Sequence, residues 1–186
     1  MRAYGPAELR RFLTAVDRTL GRRADVVVIG GAAAAVAYGF AGATRDVDTW
    51  TPVGGELAAA AERARRSTGL DVPLARSTVA DGPHDFESRL QRALPRLRRL
   101  RVMVPEKHDL VLMKVLRGDE HDLEAIEGIH RRSPLDLSIL VKRYREEMGA
   151  TIIDPGRLRG QFLTLVERLF PDDLDRVEKR LGTRSR

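Results

Sequence analysis

The 186-residue chain contains no cysteine. It can therefore form no disulfide, offer no thiolate nucleophile and build no cysteine-ligated zinc site. Aromatics are scarce, with one tryptophan, three tyrosines and five phenylalanines, so there is little for nucleobases to stack on. No apolar run approaches the roughly 18 residues of a bilayer-spanning helix. The longest candidate, residues 26–43, is broken by glycines and ends in charge. The opening "MRAYGPAELRRF" lacks the apolar stretch of a signal peptide. These absences lead us to expect a cytoplasmic protein with no membrane association. Lysine is scarce too: four of the 33 basic residues, the rest being arginine. A GC-rich genome accounts for such a bias, yet guanidinium groups suit phosphate wherever they come from. A net charge of +6 leans the chain toward nucleotide or nucleic-acid partners.

What is present divides into two parts. Pro6 to Leu20 spaces Leu9, Phe12, Leu13, Val16 and Leu20 as an amphipathic helix. Asp25 to Ile29 is a β-branched run and predicts a buried strand. Gly30-Gly31 turns the chain, and Ala32 to Phe40 forms a small-residue helix able to pack close to a sheet. Asp46 to Thr51 predicts a second strand and Glu56 to Thr68 a helix. One strand and a turn are expected within 70–82, a short helix over Asp85 to Leu94, and a strand over Leu97 to Val104 with Leu100, Val102 and Val104 on one face. Beyond Pro105 the periodicity is helical, over about 107–117, 119–131, 135–148, 155–170 and 172–181, punctuated by Gly118, Pro134 and "DPG" at 154–156. The tail "KRLGTRSR" is expected to fray. This is an α/β (α+β) arrangement, with an α/β core over 1–105 and a helical region over 106–186.

The stretch "VVVIGGAAAAVAYGFAGATRDVDTW", residues 26–50, carries the chemistry. A dinucleotide-binding turn would need G-x-G-x-x-G, but alanines stand at 32 and 35 where glycines are required. A purely structural turn would explain the glycines, with Asp46 and Asp48 on a solvated strand face. It does not explain two carboxylates flanking one buried valine. Residues i and i+2 of a strand share a side, so these negative charges repel unless water or a cation intervenes. The third reading uses that repulsion. Two carboxylates on one face suit Mg²⁺, with Mn²⁺ as its substitute. Glycines at a helix start let phosphate approach backbone N–H groups.

"GGAAAAVA" followed by "TRDVD" resembles the signature of nucleotidyltransferases of the DNA polymerase β superfamily, in particular the AbiEii/MenT-type toxins of bacterial toxin–antitoxin systems. The later segment "DLVLMKVLRGDEHDLEAI" is similar to the family's lysine-bearing helix, basic stretch and aspartate, and the resemblance covers about residues 25–130. It implies a small mixed-sheet core followed by a helical bundle that completes the active-site cleft. It implies Asp46 and Asp48 as metal ligands and catalytic residues. It places Gly30, Gly31, Thr44 and Lys114 around the nucleotide, with Lys114 and Asp122 also catalytic. It implies an NTP as substrate, the tRNA 3′ end as acceptor and an antitoxin as partner, which in some systems modifies the hydroxyl matching Thr44. The chain departs from the pattern twice. Gly42 stands where many members carry arginine. A third carboxylate is not evident, although Asp71, Asp81 and Asp85 are candidates.

Simpler roles stand beside these. Lys114 lies among apolar neighbours and could snorkel to water. Asp119 could cap a helix after a Gly118 stop, with Asp122 at the third helical position completing a capping box. Thr44 could bond to local backbone. His84, His108, His121 and His130 have no metal-ligand spacing. "RALPRLRRLRV" supplies Arg92, Arg96, Arg98, Arg99 and Arg101, whose commoner meaning is a solvated face and whose rarer one is a nucleic-acid track contacting phosphate. The reading these observations favour is a Mg²⁺-dependent transfer of an NMP from an NTP to an acceptor hydroxyl. Its rivals are the same chemistry on an antibiotic or a protein hydroxyl, and a non-catalytic nucleotide-binding module of the same fold.

Overall fold

A computed structural model describes residues 2–182. The chain forms two compact units, one of Met1–Ala80 with Arg89–Glu106, the other of Asp81–Ser88 with Lys107–Arg186.

The first unit opens with helix α1, Pro6–Thr19, which buries Leu9, Phe12, Leu13 and Val16 along one stripe. Proline suits the first turn, where its missing N–H has no helical partner. Next come strand β1 (Ala24–Val27), helix α2 (Gly30–Ala37), strand β2 (Val47–Thr49), helix α3 (Gly55–Thr68) and strand β3 (Leu74–Arg76). Two more strands follow, β4 (Gln91–Ala93) and β5 (Leu100–Val104). β1 runs parallel to β5, with Ala24 opposite Leu100. β4 is antiparallel to β5 on its other side, and β2 is parallel to β3. An antiparallel bridge between Val28 and Thr49 joins the two sets. It is held by the Ile29 N–H donating to the Asp48 carbonyl at 2.9 Å and the Trp50 N–H to the Val27 carbonyl at 2.8 Å. The result is a mixed sheet ordered β3-β2-β1-β5-β4, and with the helices it makes the α/β (α+β) class expected.

Asp17, near the end of α1, ties that helix to the sheet. Its Oδ1 accepts the Arg99 N–H at 2.6 Å and the Leu100 N–H at 2.7 Å, at the start of β5. Burial, the largest influence, pushes this carboxyl up. The backbone donors of Leu100, Arg99 and Arg98 outweigh it and hold the group below its ordinary range.

The expected helix over 85–94 is not formed. A single 3-10 turn, Phe86–Arg89, gives way to β4. Pairing with β5 satisfies β4's backbone, which outweighs local helix preference in so short a segment. The strand expected from Leu97 starts at Leu100, because a turn occupies 94–97, closed by the Leu97 N–H on the Leu94 carbonyl at 3.0 Å. Leu94 takes a φ of 50°, ahead of Pro95.

The second unit is helical: α4 (Lys107–Arg117), α5 (Glu120–Arg132), α6 (Leu137–Glu147), α7 (Pro155–Leu169) and α8 (Leu174–Gly182). The expected helix over 172–181 is thus a 3-10 turn, Pro171–Asp173, followed by α8. Of the tail expected to fray, 179–182 belong to α8, and 183–186 lie outside the described residues. Residues 81–88 are held to this unit: Asp81 Oδ2 accepts the Ile152 N–H at 3.0 Å, and the His84 N–H meets the Glu147 carbonyl at 3.2 Å. Two histidines fasten the α5–α6 connection. His130 Nδ1 accepts the Leu135 N–H at 3.1 Å and His108 Nε2 the Asp136 N–H at 2.9 Å. Among the described residues, no helix is long and apolar enough to cross a membrane.

Replacing Asp17 by alanine strands two backbone donors. We expect Asp17→Ala to cost about 2–4 kcal/mol in urea unfolding, whereas Asp17→Asn, which keeps an acceptor oxygen, costs only about 1 kcal/mol. Equal costs would show that charge, not acceptance, is what matters there.

Candidate active site

The site in the first unit is built on the end of β1. The chain leaves this strand into Gly30, whose φ of +64° is a left-handed value that glycine adopts without steric cost. α2 begins there and buries Ala32, Ala33, Ala34, Ala35 and Val36. With side chains this small the helix can lie close to the sheet. The closeness is measurable at the glycines. A Cβ on Gly30 would lie 3.6 Å from Asp48 Oδ2, and one on Gly31 would lie 2.9 Å from Thr44 Oγ1 and 3.1 Å from Thr44 Cβ. The Gly-Gly turn therefore packs directly on β2 and the segment leading into it.

On β2 Val47 and Thr49 are buried and Asp48 between them is half-buried; Asp46, expected to open this strand, lies in the bend just before it and is half-buried too. The half-buried Thr44 donates a long 3.5 Å hydrogen bond through its hydroxyl to Asp46 Oδ1. Thr44 also pairs through its backbone with Tyr4, N–H to carbonyl in both directions at 3.0 and 2.7 Å. The local-backbone role considered for its side chain gives way to this contact with Asp46. Gly30, Gly31, Thr44, Asp46 and Asp48 thus form one cluster. Its wall is negative and its floor is a helix start, and ligands of α/β sheets bind at such strand ends.

A Cβ on Gly42 would lie 2.1 Å from the tip of the Phe40 ring, so a larger residue there requires that ring to move. The candidates for a third carboxylate are engaged elsewhere or face solvent. Asp71 is 97% exposed, Asp81 accepts the N–H groups of Gly82 and Ile152, and Asp85 is exposed beside His84. Among the described residues no three His, Asp or Glu side chains are grouped to hold a metal. Two carboxylates nonetheless fit Mg²⁺, which completes its shell with water and substrate phosphate.

The second unit contains the other two residues singled out from sequence, and they touch. Lys114 is 2% exposed, so it does not snorkel. Its Nζ donates to Asp122 Oδ1 at 2.8 Å. Arg117, which the sequence reading had not named, completes the cluster with two bonds to the same carboxylate, Nε to Oδ2 at 2.9 Å and Nη2 to Oδ1 at 2.6 Å. Gly118 makes this corner. Its φ is +69°, and a Cβ there would meet the Gln161 amide at 1.9 Å. The chain reversal between α4 and α5 brings Asp122 back over the last turn of α4.

Asp122 is therefore not a capping residue. The Asp119 side chain makes no cap bond, although its carbonyl accepts the Asp122 N–H at 2.9 Å. Burial, the largest influence on Asp122, pushes its carboxyl up. The Arg117 and Lys114 contacts outweigh that and hold it below the ordinary range. Its contribution to stability is thus present above the usual aspartate range and is lost as pH falls through the lower folded value. Burial pulls Lys114 down from the usual lysine range, against the opposing pull of Asp122.

The model of a family described as nucleotidyltransferase of unknown function (DUF6036) matches residues 8–163. No curated protein and no solved structure matches the chain.

Two outcomes follow from these contacts. In isolation, Gly31→Ala should favour α2 by up to about 1 kcal/mol. The Thr44 contact reverses the sign, so we expect a net loss of about 1–3 kcal/mol in thermal unfolding. In the second unit, Asp122→Asn leaves a buried ammonium beside a second cation with no carboxylate, and should cost about 3–5 kcal/mol in urea unfolding. Lys114→Met leaves Asp122 still paired with Arg117 and should cost only about 1–2 kcal/mol. The reverse ranking would mean that Arg117 does not neutralise Asp122.

Proposed function

Because the chain belongs to the nucleotidyltransferase family of unknown function (DUF6036), we propose that it transfers an NMP from an NTP to an acceptor hydroxyl. Asp48 on β2 stands against the Gly-Gly helix start, with Asp46 joined to the same cluster through Thr44, and that single arrangement carries the proposal. Asp46 and Asp48 would hold Mg²⁺ or Mn²⁺, which when bound polarises the α-phosphate and neutralises charge on the leaving oxygens. Gly30 and Gly31 offer backbone N–H groups to the triphosphate, with no side chain to keep it away. Thr44 lies beside Asp46, where its hydroxyl holds that carboxylate in place. The acceptor oxygen bonds to the α-phosphorus as the bond to the bridging oxygen breaks. Pyrophosphate departs with that electron pair, and water takes up the acceptor's proton.

Lys114 and Asp122 enter on the family resemblance and on their pairing. A buried lysine held by a carboxylate is a fixed positive charge suited to phosphate. We propose Lys114 as a catalytic residue on that resemblance, with Asp122 as the residue that orients it. The acceptor we propose is the tRNA 3′ end, with the protein acting as a toxin held in check by an antitoxin. The chain's excess of arginine is compatible with an RNA acceptor.

The test is incubation with each α-³²P-labelled NTP, Mg²⁺ and total tRNA, beside an Asp46→Ala/Asp48→Ala variant. We expect one NTP to label tRNA and the variant to fall to background. NTP binding with no labelled tRNA would move the acceptor to a small molecule or a protein. The absence of both would leave a fold without the reaction.

A further inference from the structure

The first unit has a second charged feature at the other end of β1 and β5. A cavity of about 600 Å³ is lined by Arg23, Arg92, Arg98, Arg99 and Arg101, with Asp25 as its one carboxylate. Five guanidinium groups against one carboxylate leave an excess of four positive charges. Their placement follows from topology. β1 and β5 are parallel, so Arg23, just before β1, and Arg98 and Arg99, just before β5, meet at the strand starts. Arg92 on β4 pairs with Met103, level with Val27 farther along the strands, and its side chain reaches back to the Leu97 carbonyl. The Gly-Gly turn and the carboxylates lie at the end of β1. Five residues of strand rise, about 16 Å, separate Asp25 in the cavity from Gly30 at the turn.

Three of the arginines are pinned. Arg101 makes a two-bond pair with Asp25, Arg99 donates to the Leu20 carbonyl at 2.7 Å, and Arg92 donates to the Leu97 carbonyl at 3.1 Å. Asp17 fixes the backbone at 99 and 100 from behind. By contrast, the exposed side chains of Arg23 and Arg98 have no hydrogen-bond or ion-pair partner among the described residues. A solvated basic strand face would scatter its arginines. Here they converge on one concavity, and some are oriented in advance.

We propose that this cavity binds the phosphodiester backbone of a nucleic-acid strand. The arginines stand on, or at the entries to, three adjacent strands and so cover about 10 Å, wider than one phosphate needs. No aromatic side chain lines the cavity, so no base is read by stacking and contact is to phosphate alone. Binding is therefore indifferent to sequence and steeply dependent on salt. The proposal is independent of the transfer reaction, because it concerns binding without any NTP.

The test is fluorescence anisotropy with a labelled single-stranded 20-mer RNA over a salt series. With three or four phosphates engaged, log affinity should fall against log salt with a slope of about −2 to −3. Arg23→Ser/Arg98→Ser, which breaks no bond within the protein, should leave the melting temperature unchanged. It should weaken RNA binding at least about tenfold at low salt and flatten the slope by about 1 to 1.5. The control Arg132→Ser/Arg180→Ser removes the same charge from the helical unit and should change affinity less than about twofold. The Asp46→Ala/Asp48→Ala variant should bind RNA as the unaltered chain does, which separates this site from the reaction. Unchanged binding by Arg23→Ser/Arg98→Ser, or an equal loss in the control, would overturn the proposal. Displacement of RNA by phosphatidylserine vesicles at equal charge would also overturn it, by showing that the surface serves a membrane rather than a nucleic-acid strand.

Discussion

The missing side chain at Gly31 is the constraint on which the first unit's site depends. Thr44 lies within 3.1 Å of where a Cβ would be, and the Asp48 carboxylate stands over Gly30. A larger residue at Gly31 would press on the Thr44 side chain, and one at Gly30 would meet a left-handed φ. The four alanines that follow extend the same demand along the helix, since a buried helix of alanines keeps its axis close to the sheet. Small residues here are a distance requirement, and the distance brings a helix start within reach of two carboxylates. The bridge between β1 and β2 serves the same end, because the Ile29 N–H closes on the carbonyl of Asp48 itself. The turn and the acid are thus joined through backbone, whatever their side chains do.

The second unit is held by charge taken out of water. α4 carries Asp109, fully buried and paired with Arg143 at 2.9 Å, and five residues on it carries Lys114, paired with Asp122. A buried ion pair returns little net stability compared with an apolar contact, yet losing one partner is expensive. Such pairs specify an arrangement more than they strengthen it. Asp122 illustrates the difference. It serves two cations, one buried and one half-exposed, so the carboxylate is the member the others need. A lysine fixed in this way loses the freedom of a flexible surface side chain. That loss is worth its cost where a single charge must be placed accurately.

What was legible in sequence was what depends on near neighbours. The strand–turn–helix at 24–37, the strand around Asp48 and the helices beyond 105 all follow from local periodicity. β4 was not legible, because three residues of which two are exposed show no alternation, and its strand state comes from pairing with β5. Asp122 was legible as a neighbour of Lys114 through the resemblance, and that contact is formed. "GDEHD" is a sound capping signature, and only the chain reversal at Gly118 shows that the carboxylate turns inward. Arg117 went unnamed since its distance to Asp122 is set by that reversal rather than by helical spacing. Asp17 gave no signal at all: its partners are backbone groups more than 80 residues away.

β1 joins both charged features of the first unit, and the sheet's geometry keeps them apart. Carboxylates gathered beside a strand end and arginines gathered at the strand starts would neutralise each other if they met. The length of β1 prevents that, at a separation beyond the Debye length of about 8 Å in physiological salt. Each feature therefore keeps its own field. The acidic end can attract a cation without capture by guanidinium, and the basic end can attract phosphate without carboxylate repulsion. Asp17 extends the separation into the packing, because the backbone it fixes carries Arg99 and borders Arg98. The helix that supports the sheet thus also orients the basic end, so that anchoring β5 and presenting its arginines are two results of one buried carboxylate.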